Sequence, residues 1–175
     1  LDLPSQMRHH HDAYGFWSEA LNDYVETDLV DRFDSTGHQV DPPLAAVLTH
    51  DDPVNWLSRV GDRPKLLINA SGDEFFLPDS SGFYQDRLPQ PWRLRYEANC
   101  GHNLKDSPAV LDLVAFYRTW AAGGPLPELT WTVTPDGTRL KIDIRSSAPA
   151  AKVLVWQADN EKARDFRFPI VGKVW

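Results

Sequence analysis

Short apolar runs and helical periods alternate along the first two thirds of the chain. Lys65–Ala70 reads KLLINA, bounded by Pro64 and by Ser71-Gly72. A run of that length between turn residues predicts a buried strand. Trp92–Glu97 alternates Trp, Leu and Tyr with Arg, Arg and Glu, the period of a second strand. Helical period covers Ala13–Phe33, with Phe16, Ala20, Leu21, Tyr24 and Val25 on one face and acidic residues on the other. Leu44–Thr49 predicts a short helix and Val54–Leu57 a helical turn. Asp79, Ser80 and Ser81 supply N-cap chemistry for a helix running to about Leu88, before Pro89 and Pro91 break it. Asp106-Ser107-Pro108 opens a helix whose apolar face is Val110, Leu111, Val114, Ala115, Tyr117 and Trp120. Gly123-Gly124-Pro125 ends it. At the other end of the chain, Leu1–Pro4 reads as the exit of a strand stopped by Pro4. Arg8–Asp12 reads as a polar loop, and Asp34–Gly37 as another.

The period changes after Pro125. Leu129–Val133, Leu140–Ile144 and Lys152–Trp156 predict strands, with Asp136-Gly137 as a hairpin turn between the first two. Ala163–Phe168, with RDFRF, predicts a fourth. The expected architecture is therefore α/β over residues 1–125, followed by an antiparallel β unit over 126–175. Trp131, Trp156 and the RDFRF stretch suit a domain interface better than a surface for carbohydrate or peptide.

Composition narrows the function classes. The chain has 175 residues, 42% of them hydrophobic and 25% charged, enough for a globular core. No apolar run approaches 18 residues, so no membrane span is expected. A net charge of −7 without a basic stripe argues against nucleic acid as a partner. The lone Cys100 excludes an internal disulfide. The chain opens without Met or a leader, on residues read as a strand end. A fragment is expected, with the upstream half of the same protein as its partner.

Candidate chemistry sits at the two strand ends. Asp73 and Glu74 follow the first strand at once, and His102 follows the second in the loop after Asn99-Cys100-Gly101. In open α/β sheets, sites form at the carboxyl ends of strands. An acid and then a histidine, each just past a strand, is the layout of the last two members of a Ser…Asp…His triad. Asp73 would orient His102 if the two strand ends are neighbours. Equally, Asp73 could be a turn acid capping a strand end and His102 a loop histidine bonded to backbone. No G-x-S-x-G occurs, and none of Ser5, Ser18, Ser35, Ser58 and Ser71 stands on a Gly-flanked elbow. A nucleophile would have to precede Leu1, or the protein is not a hydrolase. Cys100 reads as a small buried residue. His9-His10-His11 point in different directions on any regular element, so no metal site is expected there. One of the three is expected to pack near the site. No cofactor is indicated.

Four stretches carry a resemblance: HHHDAYGFWSEALNDYVE, KLLINASGDEFFLPDSS, LRYEANCGHNL and VLVWQADNEKARDFRF. In this order they resemble the PhoPQ-activated pathogenicity-related family, over nearly the whole chain. GDEFFLPDSS and the WQA…RDFR pair are its most specific parts. The resemblance implies the C-terminal half of an α/β-hydrolase with a β extension, secreted or associated with the cell envelope. It implies Asp73 as triad acid, His102 as triad base and a nucleophilic Ser before Leu1. The substrate would be a small molecule or peptide carrying an ester or amide. A role in bacterial virulence or resistance to antimicrobial peptides is implied in the same way. The alternative within the resemblance is a secreted signalling or binding protein that keeps the scaffold without turnover. Asn99-Cys100-Gly101 and Gln90 depart from the family pattern, both in loops.

Overall fold

A computed structural model describes residues 2–15, 19–33 and 40–175. Among the described residues the fold is mixed α/β, with helices and two small sheets. Two compact units divide it. Leu1–Ala109 joins Ala158–Trp175, and Val110–Gln157 forms the other. The last residues thus belong with the first unit rather than with a β extension running from 126 to 175.

The first unit opens on helix α1 (Leu3–Tyr14), where the sequence suggested a strand end and a polar loop. The reason is local. Pro4 stands in the first turn, where its missing N–H is no loss. Asp2 accepts the Ser5 N–H at 3.1 Å as the N-cap. Buried Asp52 anchors the same end from a distance, accepting Leu3 N–H at 2.6 Å and Val54 N–H at 3.1 Å. Gly15 closes α1 in the left-handed region, at φ 75°. The single helix expected over Ala13–Phe33 is therefore broken. Its described parts are a 3-10 turn (Glu19–Leu21), α2 (Asn22–Glu26) and a second 3-10 turn (Val30–Arg32). Phe16 and the Asp34–Gly37 loop lie outside the described residues. Met7, Leu21 and Phe33 form the core, with Tyr24, Leu44 and Phe75 packed against it. The helix over Leu44–Thr49 is present as α3 (Pro42–Asp51), and the helical turn as a 3-10 turn (Pro53–Trp56) leading into α4 (Leu57–Val60).

Strands β1 (Lys65–Ala70) and β2 (Trp92–Glu97) have the bounds the pattern indicates. They pair in parallel, Lys65 opposite Trp92 and Ala70 opposite Glu97. β1 is half-buried except at Ala70, because its only described strand partner is β2. The alternation of β2 reverses at its end. Tyr96 is exposed and donates its hydroxyl to the Pro78 carbonyl at 2.8 Å, while Glu97 is buried. Between the strands, the helix expected from Asp79 to Leu88 is two 3-10 turns (Pro78–Phe83 and Gln85–Arg87). Pro78 begins the first, one residue before the supposed cap.

In the second unit, α5 (Ala109–Ala121) follows the loop after His102. β3 (Leu129–Asp136) and β4 (Arg139–Ser146) form the hairpin, with Trp131 opposite Ile144 and Val133 opposite Ile142. The turn is Gly137-Thr138, one residue later than the Asp-Gly signal suggests. Lys152–Trp156 is not a strand, since among the described residues no strand pairs with it. Ala163–Phe168 is not a strand either. Asp165 curls the chain locally, accepting Arg167 N–H at 3.2 Å, Nε–H at 2.9 Å and Nη2–H at 2.7 Å. A short helix, α6 (Phe168–Val171), follows. The Arg167 guanidinium lies 3.9 Å from the centre of the Tyr14 ring, holding this segment against α1.

Gly72 is where the returning segment meets the strand ends. Its N–H donates to the Cys100 carbonyl at 3.1 Å, and its carbonyl accepts Phe168 N–H at 2.8 Å. A Cβ there would stand 3.0 Å from Phe168 Cβ and 3.1 Å from both Cys100 O and Phe168 N. Two of these are backbone atoms, so no rotamer change relieves the crowding. Gly72→Ala is expected to cost about 1–3 kcal/mol, read as a lower urea midpoint at unchanged slope. An unchanged midpoint would mean that the returning segment is not tightly seated.

Candidate active site

The site is built by one turn and one loop at the carboxyl ends of β1 and β2. After β1 the chain reads Asp73-Glu74-Phe75-Phe76, and each residue has a task. Asp73 is 7% exposed, and its Oδ1 accepts the N–H of Phe75 at 2.9 Å and of Phe76 at 2.8 Å. These bonds fix the carboxylate in place. Both its oxygens then stand 3.1 Å from His102 Nδ1. Glu74 Oε2 accepts the backbone N–H of His102 at 3.1 Å. Phe75 and Phe76 flank the imidazole, with ring centres 5.0 Å and 5.3 Å away. The same four residues therefore orient the ring, hold its backbone and wall its sides.

The neighbouring loop is laced down equally closely. Ser71 N–H donates to the Glu97 carbonyl at 2.8 Å, and Asn99 N–H donates to Ser71 Oγ at 3.1 Å. Asn99, at φ 61°, pairs with the Trp175 backbone in both directions at 2.9 Å. Cys100 is buried, as its size and position suggested, and burial pushes its thiol pKa up.

Electrostatics separate two roles. Burial raises the Asp73 pKa, against the opposing pull of the Phe75 and Phe76 N–H groups and of His102. With Nδ1–H donated to Asp73, His102 carries its free lone pair on Nε2. The His102 side chain is 45% exposed, so the ring is reachable from outside. The pair can thus accept a proton at Nε2 and stabilise the resulting imidazolium. Among the described residues, no serine hydroxyl is hydrogen-bonded to His102.

The three histidines of α1 diverge, as adjacent positions on a helix must. His9 Nε2 pairs with Asp79 Oδ1 at 2.7 Å. His10 is 1% exposed, packs edge-on to Tyr14 and bonds the Glu74 backbone. Burial lowers its pKa to about 4, aided by the charges of Arg167, His9 and His11, while the bond to Glu74 opposes. It is therefore neutral at pH 7, wedged behind the acid turn.

The structure brings Asp73 and His102 together. It also adds partners, Glu74, Phe75, Phe76 and Asn99, and of the three histidines of α1 it is His10 that meets the acid turn. Only the run of two acids and two aromatics directly after a strand was visible as a signal. The bonds to Trp175 and to the Glu74 backbone come from distant chain and have no local signature.

A cavity of about 290 Å³ opens beside His102 and Asp73, with Gln6, Asn69, Ser80 and Tyr84 in its wall. Among the described residues, no helix is long and apolar enough to cross a membrane.

A family described as PhoPQ-activated pathogenicity-related protein matches residues 1–167. Autocrine proliferation repressor protein A of Dictyostelium discoideum is 35% identical over 179 residues, covering 95% of this chain and 35% of that protein. The chain thus spans about a third of the length of the curated relative it matches. No solved structure matches it.

Proposed function

The chain belongs to the PhoPQ-activated pathogenicity-related protein family, and from that premise we propose that the whole protein is a serine-type hydrolase of the α/β-hydrolase fold. Its substrate is a small molecule or peptide carrying an ester or amide. The observation that carries this reading is His102 Nδ1, 3.1 Å from both oxygens of Asp73 at adjacent parallel strand ends. A carboxylate at Nδ1 keeps the lone pair on Nε2 and stabilises the imidazolium.

In this reading a Ser hydroxyl from sequence before Leu1 attacks the carbonyl carbon. Its proton passes to His102 Nε2, which returns it to the departing alcohol or amine. Water then attacks the acyl-enzyme, again giving its proton to His102, and the acid is released with the Ser hydroxyl restored. Backbone N–H groups of the upstream half hold the oxyanion. Secretion or attachment to the cell envelope, and a part in virulence, belong to the same proposal and rest on resemblance to the family.

A fluorophosphonate probe tests the reaction class. It is expected to label one serine outside residues 1–175 of the full-length protein, and His102→Ala is expected to slow labelling by more than 10²-fold. Absence of both labelling and ester turnover in the wild type would remove the hydrolase. The rival reading is a binding protein on the same scaffold. It is favoured by the name of the Dictyostelium relative, which denotes repression of proliferation rather than chemistry.

A further inference from the structure

We infer that the cavity beside His102 is a substrate subsite for an uncharged hydrogen-bonding group, an amide or a hydroxyl, read by the Gln6 carboxamide. The inference rests on the hydrolase reading and adds the class of group next to the scissile bond. Gln6 stands on α1, buried, in the wall of the cavity that His102 and Asp73 also line. A carboxamide offers two donor hydrogens and two lone pairs. Among the described residues, its one hydrogen bond goes to the Ser80 carbonyl at 3.5 Å, the outer limit for such a bond. A carboxamide paired so weakly keeps donor and acceptor capacity for a ligand in the cavity.

The rest of the wall agrees in chemistry. Asn69 donates its Nδ2–H to the Pro78 carbonyl at 3.3 Å, which leaves its side-chain oxygen as an acceptor. Tyr84 adds a neutral phenol hydroxyl, and burial moves its pKa further up. Ser80 adds a buried hydroxyl. Among the described residues, no lysine or arginine lines the cavity, and its only carboxylate is Asp73. An anionic group would find no counter-charge there and would face Asp73. A cation would find that carboxylate already engaged by His102 and two backbone N–H groups. An apolar group would leave unused the capacity that Gln6 and Asn69 keep beyond their bonds to the Ser80 and Pro78 carbonyls. A neutral polar group satisfies all of them.

The full-length protein is tested with three acyl donors of matched length: the p-nitrophenyl esters of N-acetylglycine, pentanoic acid and succinic acid. Each kcat/KM is divided by the uncatalysed rate of the same ester. The N-acetylglycyl ester is expected to lead the other two by about tenfold or more. Gln6→Met, close in volume but without the amide, is expected to bring its ratio to the pentanoate within about threefold, mainly through KM. A wild-type preference for pentanoate or succinate, or a ratio that Gln6→Met leaves unchanged, would overturn the subsite while the hydrolase stood. If no ester is turned over, or Gln6→Met fails to fold, binding decides. N-acetylglycinamide is titrated into ¹⁵N-labelled wild-type protein while the Gln6 side-chain amide signal is followed. A saturable shift, not reproduced by acetate, supports the subsite even where the hydrolase fails. No shift at tens of millimolar overturns it.

Discussion

Asp73→Asn in the full-length protein is expected to lower kcat for ester hydrolysis by about 10³–10⁴-fold without unfolding it. The amide oxygen can still accept the N–H groups of Phe75 and Phe76, now bonded at 2.9 Å and 2.8 Å. The turn should therefore survive. The amide nitrogen, however, would donate toward His102 Nδ1. That forces the proton of the ring onto Nε2, the atom that must accept one from the nucleophile.

Stability should move the other way. The Asp73 pKa is raised, chiefly by burial. Its favourable contribution is therefore complete below its unfolded pKa and is lost as pH rises through its folded pKa. At pH 7 the ionised side chain opposes folding, and a neutral amide removes that opposition. Melting of the variant at pH 7 is expected at or above the wild-type temperature, with activity lost. Full activity in Asp73→Asn would show that Asp73 does not orient the base. A large fall in melting temperature would show that the turn needs the charge.

Acid is expected to weaken the fold through His10. Its folded pKa is about 4 against an ordinary 6.5. A depressed pKa gives stability that is present above the unfolded value and is lost as pH falls toward the folded one. The window is thus pH 6.5 down to 4, and the total is roughly 3 kcal/mol, from 1.36 kcal/mol per unit. Urea midpoints of wild type and His10→Gln, compared from pH 7 to 4.5, test this. The variant is expected to start lower, because a buried ring that bonds Glu74 and packs on Tyr14 is gone. The two curves should then converge as pH falls, since only the wild type takes up the proton on unfolding. Parallel curves would assign the acid sensitivity to other groups. Asp73 has the opposite slope, so the double variant Asp73→Asn/His10→Gln separates the two.

Both strands of the site were legible because their signals are local. KLLINA between Pro64 and Ser71-Gly72, and the alternation in WRLRYE, need no distant partner to be recognised. The hairpin followed from an Asp-Gly signal within its own loop, and α5 from a cap and a period. The same reasoning misplaced the elements in which a local signal has two meanings. Pro4 ends a strand or begins a helix, and the buried Asp52, far along the chain, anchored the helix. The period over Ala13–Phe33 did not register that Gly15 takes the left-handed region. RDFRF alternates like a strand, yet Asp165 and Arg167 close on each other.

By itself the sequence determined the candidate pair, Asp73 and His102, since both stand in short segments just past recognisable strand ends. It also settled the family, through motifs spread over the chain in a constant order. Only the tertiary structure decided that the two strand ends are neighbours, that His10 is buried behind the acid turn, and that Gln6 reaches the cavity. It alone brought Phe168 to Gly72 and Trp175 to Asn99. These contacts join residues far apart in the chain, and periodicity records only which side of an element is apolar. Which distant segment covers that side depends on how the chain closes on itself. For a buried polar group such as His10, Asp52 or Gln6, it also depends on which partner that closure supplies.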